Sequence, residues 1–104
     1  MEKLDFKQII IKTEDDIFTI IRDHFNGEVD TEKLPSKRFE IGNNDGDNIM
    51  SRIIEKITID ENLEPGKRII LHTDYKPMTY TFANLSYKFR MKLYNWIWKL
   101  YDEK

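Results

Sequence analysis

Two histidines, His24 and His72, are the side chains of this 104-residue sequence whose ordinary pKa lies near neutrality, so a general base is sought there first. His24 falls on the apolar side of a predicted helix and His72 within a predicted strand, so both read as packed or rim residues. The run Asn43-Asn44-Asp45-Gly46-Asp47 invites a calcium loop. Set in the EF-hand register, however, it places Asn48 where the turn needs glycine and Ile54 where the bidentate glutamate belongs. It therefore reads as a turn followed by a helix cap. The three serines, Ser36, Ser51 and Ser86, lack a nucleophile-elbow context, and four scattered glycines build no phosphate loop. The absence of cysteine removes thiolate metal sites, disulfides and thiol nucleophiles together. Asp15, Asp16, Asp23 and Glu28 cluster in sequence, and charge at a helix start explains most of them. No catalytic, metal or cofactor residue is nominated, and the expectation is a binding protein rather than an enzyme, with a metal-dependent enzyme built from scattered Asp and Glu the less favoured alternative.

The chemistry of binding is concentrated at the C-terminus. On a helical wheel of about 100° per residue, Leu85, Phe89, Leu93, Trp96 and Leu100 form a stripe about 80° wide, which reads as the core face. Tyr87, Met91, Tyr94, Trp98 and Tyr101 form a second apolar sector, with Ile97 between the two. A helix on one sheet needs only about half so wide an apolar arc. Either another helix covers the second sector or a partner does. Tyr, Trp, Met and Arg are residue types enriched at interface hot spots, which nominates Tyr87, Arg90, Met91, Tyr94, Trp98 and Tyr101 as protein contacts. The partner is a second copy of the chain or a larger protein that it modulates. The alternative is nucleic acid, with Lys67, Arg68, Lys76, Lys88, Lys92 and Lys99 interleaved with tyrosines and Trp98. Against it, the sequence pI is about 5.7, and the helix lysines lie on a strip apart from the tyrosines.

The elements that must carry these residues are read from periodicity and punctuation. Residues 84–101 are helical in pattern, without Gly or Pro. Residues 67–73 and 78–82 alternate as strands around Asp74-Tyr75-Lys76-Pro77, so a hairpin over about 67–82 is expected. Thr13 ahead of Glu14-Asp15-Asp16 resembles a capping box opening a helix over 14–25, stopped by Asn26-Gly27. The apolar, β-branched stretch 4–12 reads as a strand and Arg38–Ile41 as a short one. Ile49, Met50, Ile53, Ile54 and Ile57 fit a helix over 48–56, although 55–60 also alternates as a strand. The fold class is α+β: a small antiparallel sheet including the hairpin, the long C-terminal helix packed on one face, and helices 14–25 and 48–56.

Composition sets the outer bounds. A length of 104 residues suits a single globular domain over 1–104. Charged residues at 35% beside 39% hydrophobic ones suit a soluble globule rather than a disordered chain. No apolar run approaches the length of a membrane span, and the first residues lack the layout of a signal peptide, so a cytoplasmic location is expected. Usage rich in Ile, Lys, Asn and Asp would suit an AT-rich genome, such as that of a phage or mobile element. The net charge of −2 conceals an asymmetry. Residues 1–65 hold 9 basic and 16 acidic side chains (−7), and residues 66–104 hold 8 and 3 (+5). This predicts either two faces of opposite sign or internal pairing.

Overall fold

A computed structural model describes residues 5–42, 50–75 and 78–103. Helix α1 (Phe6–His24) opens the chain, followed by strand β1 (Glu28–Val29), a 3-10 turn (Thr31–Lys33) and strand β2 (Arg38–Ile41). Strands β3 (Met50–Ile59), β4 (Ile69–Thr73) and β5 (Thr79–Thr81) come next. A second 3-10 turn (Phe82–Asn84) then leads into helix α2 (Tyr87–Asp102). The class is α+β, with an antiparallel five-stranded sheet and two helices.

The strand expected over residues 4–12 is instead the start of α1, which also contains the expected helix 14–25. The determining residues are Asp5 and Gln8. The Gln8 amide donates to Asp5 Oδ1 at 2.7 Å, and the Asp5 amide donates to Gln8 Oε1 at 2.9 Å, a complete capping box eight residues ahead of Thr13. Thr13 caps nothing; its hydroxyl donates to the Ile9 carbonyl at 2.7 Å within the helix. The helix-propensity penalty of three adjacent isoleucines is only tenths of a kcal/mol each, and burial of Ile17, Ile20 and Ile21 outweighs it. The helix stops where Asn26-Gly27 signals, with both residues at positive φ (57° and 84°) and the Gly27 amide donating to the Ile21 carbonyl.

The helix expected over 48–56 is a strand wherever that range is described: β3 is the spine of the sheet. Its first half pairs with β2 (Arg38↔Ile53 to Ile41↔Met50), its second half with β1, and it pairs with β4 from Ile54↔Thr73 to Ile59↔Ile69. A bulge between Ile54 and Lys56 changes the phase of the pleat. Ile54 and Ile57, three residues apart, therefore both point into the core, which reproduces helical spacing inside a strand. The hairpin forms as expected, with Ile70↔Thr81, Leu71↔Tyr80 and His72↔Thr79 paired. Residues 43–49, which include the Asn43–Asp47 turn and the expected cap at Asp47, lie outside the described residues.

Both helices lie on one face of the sheet. Ile17 and Ile21 of α1 and Phe89, Leu93 and Ile97 of α2 meet Phe39, Ile54, Ile57, Ile69 and Leu71 in a single core. The opposite face, carrying the cross-strand pairs Lys56↔His72 and Thr58↔Ile70, is half-buried to exposed. Contacts between the helices advance in step, Phe6 with Arg90, Asp16 with Tyr94 and His24 with Tyr101, so the two run parallel.

Candidate functional site

The buried residues of α2 are Phe89, Arg90, Leu93 and Ile97, an arc of about 100° by the wheel above. It takes Phe89 and Leu93 from the first stripe and reaches past Ile97 to Arg90, so the core occupies the middle of the apolar arc and the outer residues of each stripe are its flanks. Trp96 and Leu100 on one flank border the segment around Lys33 and Pro35. On the other flank, α1 lies alongside Tyr94, Trp98 and Tyr101, all half-buried and packed on the core. The Tyr94 hydroxyl donates to Asp16 Oδ2 at 3.2 Å. Burial first, then the nearby Asp16 carboxylate, holds the Tyr94 hydroxyl above its ordinary pKa of 10.0. Tyr101 stacks on His24 at 4.6 Å between ring centroids, and Trp98 lies between Tyr94 and Tyr101 at 6.2 and 5.8 Å. The Trp98 indole Nε1 is buried near the Tyr94 hydroxyl and offsets part of that hydroxyl's rise in pKa.

The open part of this sector is its N-terminal end. Tyr87 is 60% exposed, with Met91 one turn along α2, and Phe6 (39%) reaches it across Arg90, with Ile9 (44%) about one turn along α1. Arg90 lies beneath this patch, only 4% exposed, with its guanidinium carbon 5.2 Å from the Phe6 ring centroid and 6.0 Å from that of Tyr87. Its Nη1 donates to the Leu85 carbonyl at 2.5 Å, and burial lowers its pKa. The end of α2 that carries these groups is pinned to β2. Ile41 bridges Leu85, the Gly42 amide donates to the Asn84 carbonyl, and the Ser86 amide donates to the Glu40 carbonyl. Ser86 Oγ in turn accepts the Phe89 amide at 3.1 Å as the helix cap.

The basic residues separate. Arg68 is held inward: its Nε and Nη2 meet Glu14 Oε1 at 2.9 and 2.8 Å, its Nη2 meets Asp15 at 3.1 Å, and it covers the Phe18 ring at 4.3 Å. Glu14 is fully buried and also accepts the Gly66 and Arg68 amides, at 3.0 and 2.6 Å. It is a buried carboxylate, neutralised by Arg68, that ties α1 to the turn before β4. Lys67 pairs with Glu64, whereas Lys88, Lys92 and Lys99 are exposed and make no ion pair among the described residues. Lys76 lies outside the described residues. His72 Nε2 is hydrogen-bonded to Thr58 Oγ1 at 2.8 Å on the open sheet face, far in role from His24 at the helix seam. Among the described residues no three His, Asp or Glu gather as a metal could use them, and no helix is long and apolar enough to cross a membrane.

Sequence reasoning misses Phe6 and Ile9 because it assigns residues 4–12 to a strand, and it reads Glu14 only as charge at a helix start, not as the buried partner of Arg68. The Asp5-x-x-Gln8 cap is the signal that locates Phe6 and Ile9 on a helix. Compared with known proteins, the chain matches no family model, and no curated protein or solved structure shows a significant match.

Proposed function

We propose that this chain is a small non-enzymatic protein-binding module, a homodimer or a modulator of a larger protein, acting through the N-terminal end of its helix pair. The observation that carries the reading is the apolar patch of Phe6, Ile9, Tyr87 and Met91, three of them more than a third exposed. Clustered apolar side chains of this size on one surface mark a contact site, because leaving them in water forgoes their burial energy. Tyr94, Trp98 and Tyr101 then act as the buried support of that surface rather than as its contacts.

Light scattering behind a sizing column tests this. If two copies meet, the mass rises from 12.6 kDa toward twice that value with concentration. Ile9→Ser with Tyr87→Ala then restores the monomer at an unchanged melting temperature. If the wild type stays at 12.6 kDa, the same double variant is compared with it in a pull-down. Equal recovery of every captured protein would sink the reading. Trp98→Ala is the contrast: it should cost roughly 3 kcal/mol of folding stability, as truncated core aromatics do.

One observation favours a second reading, a nucleic-acid accessory role: the unpaired lysine strip Lys88, Lys92 and Lys99 on α2. Arg68, engaged with Glu14 and Asp15, is no longer available to it. That role requires binding that weakens steeply with salt and disappears on Lys88→Glu with Lys92→Glu.

A further inference from the structure

We propose that Arg90, set between the rings of Phe6 and Tyr87, anchors a carboxylate carried on an apolar segment of a partner protein. The inference rests on the protein-binding reading above and names the chemistry of the partner.

Arginine stays charged under all ordinary conditions, so a buried guanidinium is normally neutralised by a carboxylate. Arg68 shows that arrangement in this chain, with two carboxylates within 3.1 Å. Arg90 is 4% exposed, yet among the described residues no carboxylate lies within ion-pair distance of it. Its one hydrogen bond among them, from Nη1 to the Leu85 carbonyl, uses one of five N–H donors.

The surroundings favour an anion. Because the helices run parallel, both N-termini emerge at this end, and neither has an acidic residue in its first turn. The dipole of α2 and the exposed Lys88 add positive potential to that of Arg90, while the dipole of α1 is met by the Asp5 cap. The acidic groups facing this end are already engaged, Asp5 with the Gln8 amide at 2.7 Å and Glu40 with Ser86 Oγ at 3.4 Å. Phe6 and Tyr87 flank the guanidinium, and the exposed Ile9, about one turn along α1 from Phe6, extends that apolar surface. A partner carboxylate would therefore have to arrive flanked by apolar side chains, which exclude water from the new pair and strengthen it.

The test uses N-acetyl-leucine, a carboxylate beside an aliphatic side chain, with its uncharged amide as control, titrated into the isotope-labelled full chain. The expected result is a saturable NMR shift of the Arg90 Nε–H with the acid. The amide should bind at least about tenfold more weakly, the loss expected for a hydrogen bond to a charged group. Arg90→Gln should abolish binding. Should that variant fail to fold, Tyr87→Ala keeps Arg90 in place and should weaken binding severalfold. A shift that never saturates, or equal binding of acid and amide, overturns the proposal. A wild-type dimer that the probe dissociates assigns the site to a second copy and overturns the foreign partner. The protein-contact reading fails separately: the probe would bind in the wild type with unchanged affinity in Ile9→Ser and Tyr87→Ala, leaving a carboxylate site without an apolar rim.

Discussion

Tyr94 places its hydroxyl in the seam between the helices and donates its proton to Asp16. Burial and the neighbouring carboxylate disfavour the phenolate, so the folded protein holds this proton more tightly than the unfolded chain does. A raised folded pKa contributes stability that is complete below the ordinary value of 10.0 and is lost as pH rises through the higher folded value. Tyr94→Phe should therefore cost about 1 kcal/mol near neutral pH, the usual worth of one hydrogen bond. That difference from wild type should shrink between urea melts at about pH 8 and about pH 11, where the wild type pays for ionisation. A difference that stays constant would show that the contact does not titrate. The exposed Asp23 and Glu64 are also shifted, downward, by hydrogen bonds from Arg22 and Lys67. Their support is present above the ordinary carboxylate range and is lost as pH falls, and solvent screening leaves it small.

At the scale of elements, the first turn of α1 decides whether the proposed contact surface exists. Asp5 and Gln8 hold that turn, and Phe6 and Ile9 project from it. Asp5→Ala removes the side-chain half of the capping box, leaving the residue 5 amide to donate to Gln8, and should cost about 1 kcal/mol of stability in urea denaturation. It should also raise amide exchange over residues 6–9 while leaving α2 unchanged. Unaltered exchange there would mean that packing, not the cap, holds the turn. The turn before β4 depends on a comparable local device. Gly66 has φ +97°, which glycine adopts without strain, and that conformation presents its amide to Glu14.

For the whole molecule, the sheet is organised around β3, which pairs with β1, β2 and β4. Ile57, Ile69 and Leu71 are fully buried at its centre. Amides from Ile57 to Ile59 and from Ile69 to Leu71 are expected to exchange most slowly, at rates that track global unfolding. Slower exchange in α2 would instead place the most stable unit in the helix layer. The acidic first part and the basic last part of the chain are joined directly. Arg68 meets Glu14 and Asp15, so part of the charge asymmetry is internal pairing. The lysines of α2 account for a further part as an unpaired outer strip.

The α+β class, the hairpin, β2, the stop at Asn26-Gly27 and the long C-terminal helix were legible in the sequence. Each rests on local physics: pleat alternation, turn residues, or a sustained helical period. Two elements were not. Residues 6–12 are helical because a cap at Asp5 and burial along the rest of α1 outweigh the strand preference of Ile9-Ile10-Ile11. Residues 50–56 are a strand because a bulge lets Ile54 and Ile57 share one face. The candidate site divides in the same way. Side-chain types alone nominated Tyr87, Arg90 and Met91, whereas Phe6 and Ile9 join them only through the parallel alignment of α1 with α2. That alignment also determined which part of the broad apolar arc is covered and which is open. Coverage is a property of neighbours distant in the chain, so a helical wheel of α2 measures the width of the arc but not what lies against it.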